Sequence, residues 1–355
     1  MNAPLNPVAT EPRLTSLSHG GGCGCKIAPG VLQRILAQST PAFVPPALLV
    51  GIETADDAAV YKLNEDLAIV ATTDFFMPIV DDPHDFGAIA ATNAISDIYA
   101  MGATPIFALA LVGMPVDRLP VETIRAILAG GESACRRANI PIAGGHTIDS
   151  VEPIYGLVAI GVVDPRHVKR NGGAREGDLL ILGKPLGTGI YSAALKKDRL
   201  SPAHYAALVD SATRLNTPGI ALARDERVHA LTDVTGFGLL GHLLEMVRAS
   251  GVGATLRFDA VPLHPGVTEL AADGCVTGAS ARNWSGYGAE VTMEPGLPAT
   301  ARDLLTDPQT SGGLLVSCDP ASEDAVLALF RGEGFAAAAR VGRVDAGPAG
   351  LRIVA

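Results

Sequence analysis

The sequence predicts an α/β (α+β) protein of two domains, and three observations carry that prediction. Short apolar, β-branched runs alternate along the chain with longer segments of helical period. Asp164-Pro165 and the polar stretch Lys169–Asp178 break the alternation near the middle. At 355 residues the chain is long for one core and comfortable for two.

Taken in order, residues 1–18, with Pro4, Pro7 and Pro12, read as a disordered lead, and Val31–Gln38 behind Pro29 as a short helix. Leu67–Thr73 reads as a strand that Asp74 ends. Asp85–Met101, with Pro83 as its start signal, has the length and small-residue content of a buried helix. Ile106–Val112 is a second strand and Ile154–Val163 a third. Between them Pro120–Ala138 forms a long helix, with Val121, Ile124, Ile127 and Leu128 at helical spacing. Beyond the break a strand is expected at Leu179–Leu182, with further strands near Ala254–Phe258, Gly313–Val316 and Ala336–Val341. Helices are expected near Ser201–Leu215, Gly238–Ser250 and Glu323–Arg331.

Composition narrows the function. Hydrophobic residues make up 48% and charged residues 18%, as in a well-packed enzyme. A net charge of −10 argues against nucleic-acid and anionic-membrane partners, so any phosphate site must be built locally. The 5 cysteines show no framework spacing, which suits a reducing compartment. No basic segment precedes an apolar core near the N-terminus, and the longest apolar stretch, Pro105–Val116, is too short to cross a bilayer. A cytoplasmic enzyme is expected.

The run His19-Gly-Gly-Gly-Cys-Gly-Cys-Lys26 carries the most chemistry. Its glycines suit a mobile backbone, and Lys26 should lower the pKa of the neighbouring thiol. A catalytic or carrier thiol is the preferred reading. A mobile tail, a metal site with His19 as third ligand and a transient Cys23–Cys25 disulfide are the alternatives.

Aspartates form a second constellation, at Asp56-Asp57, Asp74, Asp97 and Asp233. Asp97 lies in an apolar helix four residues after Asn93, and no Lys or Arg occurs between Lys62 and Arg118. A carboxylate there needs a distant cation or a metal. Carboxylates from separate segments suit Mg²⁺ shared with substrate phosphates, in a cleft between the halves. Gly144-Gly-His-Thr-Ile-Asp149 and Thr310-Ser-Gly-Gly313 read either as amides for oxyanions or as simple turns. His242 reads as a helix-packing residue, His146 as closer to ligand, and Trp284 as core or cleft wall. Neither a P-loop nor a dinucleotide fingerprint occurs.

Together these segments resemble the selenophosphate synthetase (selenide, water dikinase) family, in the aminoimidazole ribonucleotide synthetase-like superfamily. The matches run from Ser18–Lys26 through Asp56–Val60, Thr72–Pro78, Asn93–Gly102, Ala143–Thr147 and Thr232–His242 to Asp307–Gly313. The resemblance implies a two-domain fold in which N-terminal domains pair into a β-barrel across a homodimer, with a C-terminal mixed sheet and helices. Its expected divisions are a flexible segment with the catalytic arm at 1–50, an ATP- and Mg²⁺-binding dimerisation domain at 51–165 and an α/β domain at 170–355. It implies conversion of ATP, selenide and water to selenophosphate, orthophosphate and AMP, supplying selenium for selenocysteine and selenouridine. Cys23 matches an essential position that is selenocysteine in some relatives, and Lys26 an essential lysine at the phosphates. Asp57, Asp97 and Asp233 match Mg²⁺ ligands. Thr54, Ala55, Asp56 and Asp74, with Lys26 and Asp97, match ATP contacts. Gly145, His146 and Thr147 match a segment that reaches the neighbouring subunit's ATP. A monovalent cation and a selenium-delivery protein are further candidates. The rival readings are a sister kinase or ligase using the same metal site and a thiol-based carrier of selenium or metal.

Overall fold

The computed structural model describes residues 12–27, 31, 34–35, 43–51 and 56–355, and each half is built on one sheet. The first contains β1 (Leu48–Val50), β2 (Ala59–Asn64), β3 (Leu67–Phe76), β4 (Thr104–Met114), β5 (Ile142–Asp149) and β6 (Ile154–Val163). Their order is β1-β2-β3-β6-β4-β5, antiparallel except where β5 runs parallel to β4. The strand expected to end before Asp74 continues to Phe76, so Asp74 stands inside it.

Helix α1 (Pro83–Ala100) starts at Asp82, whose side chain accepts from Asp85 N, with Pro83 in its first turn. Its Ala, Ile and Phe side chains are buried on all sides, because it packs on β3, β4 and β6 and also meets the second sheet at β8. Helix α2 (Val121–Arg137) packs alongside it, with its apolar stripe inward. β3 alternates strictly, burying Val70, Thr72, Asp74 and Phe76 on the helix side. On the opposite face Tyr61, Phe75, Ile106 and Ile148 are exposed.

The second sheet comprises β7 (Leu179–Leu182), β8 (Val228–Asp233), β9 (Gly253–Arg257), β10 (Val291–Met293), β11 (Leu314–Cys318), β12 (Ala339–Asp345) and β13 (Gly350–Val354). Its order is β10-β13-β9-β12-β7-β11-β8, a mixed sheet as the family resemblance implies. Helix α3 (Gly238–Ser250) follows β8 and buries Leu239, Leu240, Leu243 and Leu244 in this half's core. Lys169–Asp178 is pinned between the halves rather than free: Asn171 is fully buried and Leu231 N donates to Arg170 O.

The disordered lead expected over 1–18 does not hold for its last part. Leu14–Leu17 form a 3-10 turn with Leu14 and Leu17 buried, tied down by Arg13 and Thr15 on Asp81. Most of the helix expected at Val31–Gln38 lies outside the described residues.

Candidate active site

The glycine-rich arm lies between the halves and is held by its backbone. Gly22–Cys25 form one 3-10 turn, in which Gly22 N donates to Met77 O at 2.8 Å and Cys23 N to Thr310 Oγ1 at 3.1 Å. Gly22 has φ +55, and a Cβ there would stand 2.3 Å from both Ile79 Cγ2 and Thr310 Oγ1. Only glycine lets the arm approach this closely. Lys196 Nζ donates to Gly20 O at 2.8 Å and Arg282 Nη2 to Gly24 O at 2.9 Å.

This closure buries Cys23 to 1% exposure and points its Sγ at Asn93 Oδ1, 3.2 Å away. Burial pushes the thiol pKa well up and Asp74 adds to that, while Lys26 pulls the other way. The expected activation by Lys26 is therefore present as a local effect but overridden by desolvation and neighbouring carboxylates. Cys25 is less buried, and all 5 cysteines are free. His19 turns outward to Glu152 at 2.9 Å with its side chain 76% exposed, so it does not join the thiols as a metal ligand.

Four carboxylates gather beneath the arm, each delivered by a different element. Asp74 comes from β3, 3.6 Å from Lys26 Nζ, and accepts from Asn93 Nδ2 at 2.6 Å. Asp97, from α1, accepts from Thr72 Oγ1 at 2.5 Å. Asp233 ends β8 and accepts from Ser96 Oγ at 2.5 Å. Asp57 accepts from Thr232 Oγ1 at 2.9 Å, while its buried Oδ2 has no hydrogen-bond partner. Burial, and then mutual repulsion, hold Asp57 and Asp97 well above the ordinary carboxylate range. Burial also raises Asp233, opposed by its bond from Ser96. The Lys26 side chain is 39% exposed; the partial desolvation of its ammonium disfavours the charge, but Asp74, Cys23, Asp97 and Asp233 outweigh it and raise the pKa.

Crowded acidic oxygens and one orphaned carboxylate atom fit a hard cation. Among the described residues no three His, Cys, Asp or Glu side chains stand close enough to cage a metal alone. A Mg²⁺ ion held here would draw only part of its shell from these carboxylates and complete it with phosphate and water.

The other expected residues separate into three groups. Asp56 accepts from Asn171 N at 2.7 Å, fixing the segment that precedes Asp57. Thr54 and Ala55 lie outside the described residues. Gly145, His146 and Thr147 are not in the cluster but exposed on edge strand β5. The register Asp74↔Leu157, Leu157↔Ala110 and Ala110↔Gly145 puts Gly145 in the same row as Asp74. Three strand spacings separate them, about 14 Å. The segment 144–149 is thus neither a phosphate loop nor a simple turn but a strand.

Several residues that build the site carry little signal in the sequence. Asn93 joins Cys23, Asp74 and Ser311 N. Ser96 links Asp233 to Asn216, whose Nδ2 also donates to Gly312 O. In Thr310–Gly313 the Ser311 amide is spent on Asn93, so this motif acts as a turn that joins the halves. The spacing Asn93, Ser96, Asp97 on one helix face was the available clue. His242 packs as expected, buried and stacked on Phe237 at 5.6 Å with Nε2 3.2 Å from Thr235 Oγ1. Trp284 is partly buried against the second core.

Residues 55–163 match the family described as AIR synthase related protein, N-terminal domain, and residues 175–354 its C-terminal domain. The chain is 64% identical over 348 residues to a selenide, water dikinase of Paraburkholderia xenovorans, covering 98% of each. It is 62% identical over 350 residues to a selenide, water dikinase of Pseudomonas straminea, again covering 98% of each. Its fold is shared with a thiamine-monophosphate kinase from Stenotrophomonas maltophilia, at TM-score 0.63 and 22% identity over 93% of this chain and 96% of that one. A hydrogenase maturation protein in complex with ATP has the same fold, at TM-score 0.62 and 21% identity over 91% and 90% of the two chains.

Proposed function

This chain belongs to the selenide, water dikinase family, within the AIR synthase related proteins, and from that premise we propose how its residues divide the work. It is an enzyme that uses ATP to make selenophosphate from selenide and water. The observation that carries the assignment of residues is the burial of Cys23 between the halves, above four carboxylates and beside Lys26.

Phosphoryl transfer asks for alignment and charge neutralisation rather than covalent help. Asp57, Asp97 and Asp233 would hold Mg²⁺, which when bound neutralises phosphate charge. Lys26, kept charged by its acidic neighbours, contacts the phosphates. Asp74 with Lys26, and Asp97 with Thr72, fix the floor on which ATP sits, and Asp56 holds the segment before Asp57; the family resemblance adds Thr54 and Ala55 as ATP contacts. Cys23 meets the selenium, and in the closed arm it holds its proton on Sγ toward Asn93 Oδ1. The arm itself covers the site and excludes water. AMP and orthophosphate are the co-products.

The exposed apolar face around Tyr61, Phe75, Ile106 and Ile148 supports pairing of two first sheets into a barrel in a homodimer. Gly145, His146 and Thr147 on edge strand β5 then reach the partner's nucleotide. Domain limits of 51–165 and 170–355 are supported by the separate sheets and by family matches at 55–163 and 175–354. Among the described residues no helix is long and apolar enough to cross a membrane, and 5 free cysteines agree with a cytoplasmic setting.

Anaerobic ³¹P NMR with ATP, Mg²⁺ and selenide tests this assignment, with Cys23→Ser alongside. AMP, orthophosphate and a phosphorus signal split by ⁷⁷Se are expected from the parent enzyme only. ADP as the sole product, or equal turnover by Cys23→Ser, would refute it.

A further inference from the structure

A cavity of about 250 Å³ lies against the arm, and none of Asp57, Asp74, Asp97 and Asp233 is in its lining. One wall is the arm, at His19, Gly20 and Gly24, and the facing wall includes Lys196, Arg282 and Thr310. Thr310 also receives Cys23 N, so the cavity and the thiol share a wall residue. No Asp or Glu lines it, although the chain carries a net charge of −10; Asp307 stands behind the lining residues Gly189 and Pro308 and accepts from Gly189 N at 2.9 Å. Glu152 stands nearby but is engaged by His19 at 2.9 Å.

Lys196 and Arg282 each give one donor to an arm carbonyl, Gly20 O and Gly24 O. An ammonium has three donors and a guanidinium five, so both keep donors for a ligand. The first turn of the helix Gly278–Tyr287 adds its positive end to the same cavity. The rest of the lining mixes Gly, Ala, Ile and Pro with the hydroxyls of Thr188, Ser192 and Thr277, of which Thr188 donates to Gln309 Oε1 and Ser192 to Ile79 O, while Thr277 accepts from Ser280 N. Two cations in a lining whose Thr188 and Ser192 hydroxyl protons are already donated elsewhere suit a polarisable, weakly hydrated monoanion better than a multiply charged oxyanion, which needs a dense donor shell.

We propose that this cavity is the docking site through which hydrogen selenide reaches the arm, held as a monoanion by Lys196 and Arg282. The inference rests on the selenide, water dikinase reading and adds to it a separate entrance for each substrate. Selenide enters on the basic side of the arm and the nucleotide on the acidic side. No bond forms or breaks in the cavity.

The test is steady-state kinetics of the full-length enzyme with Lys196→Gln and Arg282→Gln. The expected result is a rise of about tenfold or more in the KM for selenide with the KM for ATP held within about twofold, whatever kcat loses through the weakened hold on the arm. Iodide, a soft monoanion used as the probe on the unaltered enzyme, should compete with selenide and not with ATP, and should inhibit both variants less. An unchanged KM for selenide in both variants would overturn the proposal. So would an equal fall in kcat with both KM values, which marks a clamp on the arm and nothing more. Should a variant fail to fold, the iodide experiment decides alone: competition against ATP, or no competition against selenide, refutes the docking site. Absence of selenide-dependent AMP formation by the unaltered enzyme would instead refute the functional assignment.

Discussion

Asn93 holds Cys23 as a hydrogen-bond donor. The amide's orientation is fixed on both sides: Nδ2 faces Asp74 Oδ2 at 2.6 Å, and Oδ1 accepts from Ser311 N at 2.7 Å. The atom left facing Sγ is therefore a carbonyl oxygen, which accepts and cannot donate. In the closed arm the sulfur keeps its proton, and reactivity must wait for a change in its surroundings.

Iodoacetamide should accordingly modify Cys25 before Cys23 in the ligand-free enzyme, with Cys23 slower by about tenfold or more. Peptide mapping over time separates the two sites. Equal rates would mean that the arm stands open in solution.

Cys23→Ser keeps a donor toward Asn93 Oδ1, so its thermal midpoint should move by no more than about 2–4 °C. Selenophosphate formation should nonetheless fall by about a thousandfold or more, because a hydroxyl is far less acidic and less nucleophilic than a thiol. Cys25→Ser should retain most of the turnover. A fully active Cys23→Ser variant would remove the thiol from the mechanism.

Asp57→Asn and Asp233→Asn relieve repulsion between buried carboxylates. Each should stabilise the metal-free protein by about 1–2 kcal/mol while lowering turnover about a hundredfold or more. Denaturant midpoints with and without Mg²⁺ give both halves of the comparison. Destabilised metal-free variants would show that these groups serve the fold rather than a cation.

Asp307 supplies a pH dependence away from the metal site. It is fully buried, accepts from Gly189 N and Gln309 Nε2, and burial pushes it up to about 7 from 3.8. Between those values the folded protein binds a proton that the unfolded chain does not, so this group's contribution is full below 3.8 and lost as pH rises toward about 7. Asp307→Asn should flatten that part of the stability–pH curve, read from denaturant midpoints between pH 4 and about 8. An unchanged slope would assign it to another group.

Phe75 projects from β3 on the face opposite Asp74 and is 51% exposed. Phe75→Asp should shift sedimentation from dimer to monomer, and turnover should fall with dimer content. A fully active monomer would detach Gly145, His146 and Thr147 from the partner's nucleotide.

Much of this architecture is legible in the chain because local pattern and tertiary demand agree. The helix Pro83–Ala100 announces itself by Pro83 and a run of small apolar residues, and Ile154–Val163 is a strand at the limits its composition suggests. Strand β5 is hidden by Gly144-Gly145, which reads as a turn until pairing with β4 makes it extended. The turn at Leu14–Leu17 is hidden by the prolines before it, since its anchor, Asp81, lies far along the chain. Within the site the charged residues stand out because buried carboxylates need a reason. Thr72, Ser96, Thr232 and Thr310 do not, because hydroxyls are common and their partners come from other segments.

From Gly20 to Gly24 the contacts that clamp the arm grip main chain: Lys196 at Gly20 O, Arg282 at Gly24 O, Thr310 at Cys23 N and Met77 at Gly22 N. The side chain at position 23 is read through one carbonyl oxygen, that of Asn93. The scaffold is consequently almost indifferent to which chalcogen sits there. Exchange of sulfur for selenium at position 23 would leave each of those main-chain contacts in place.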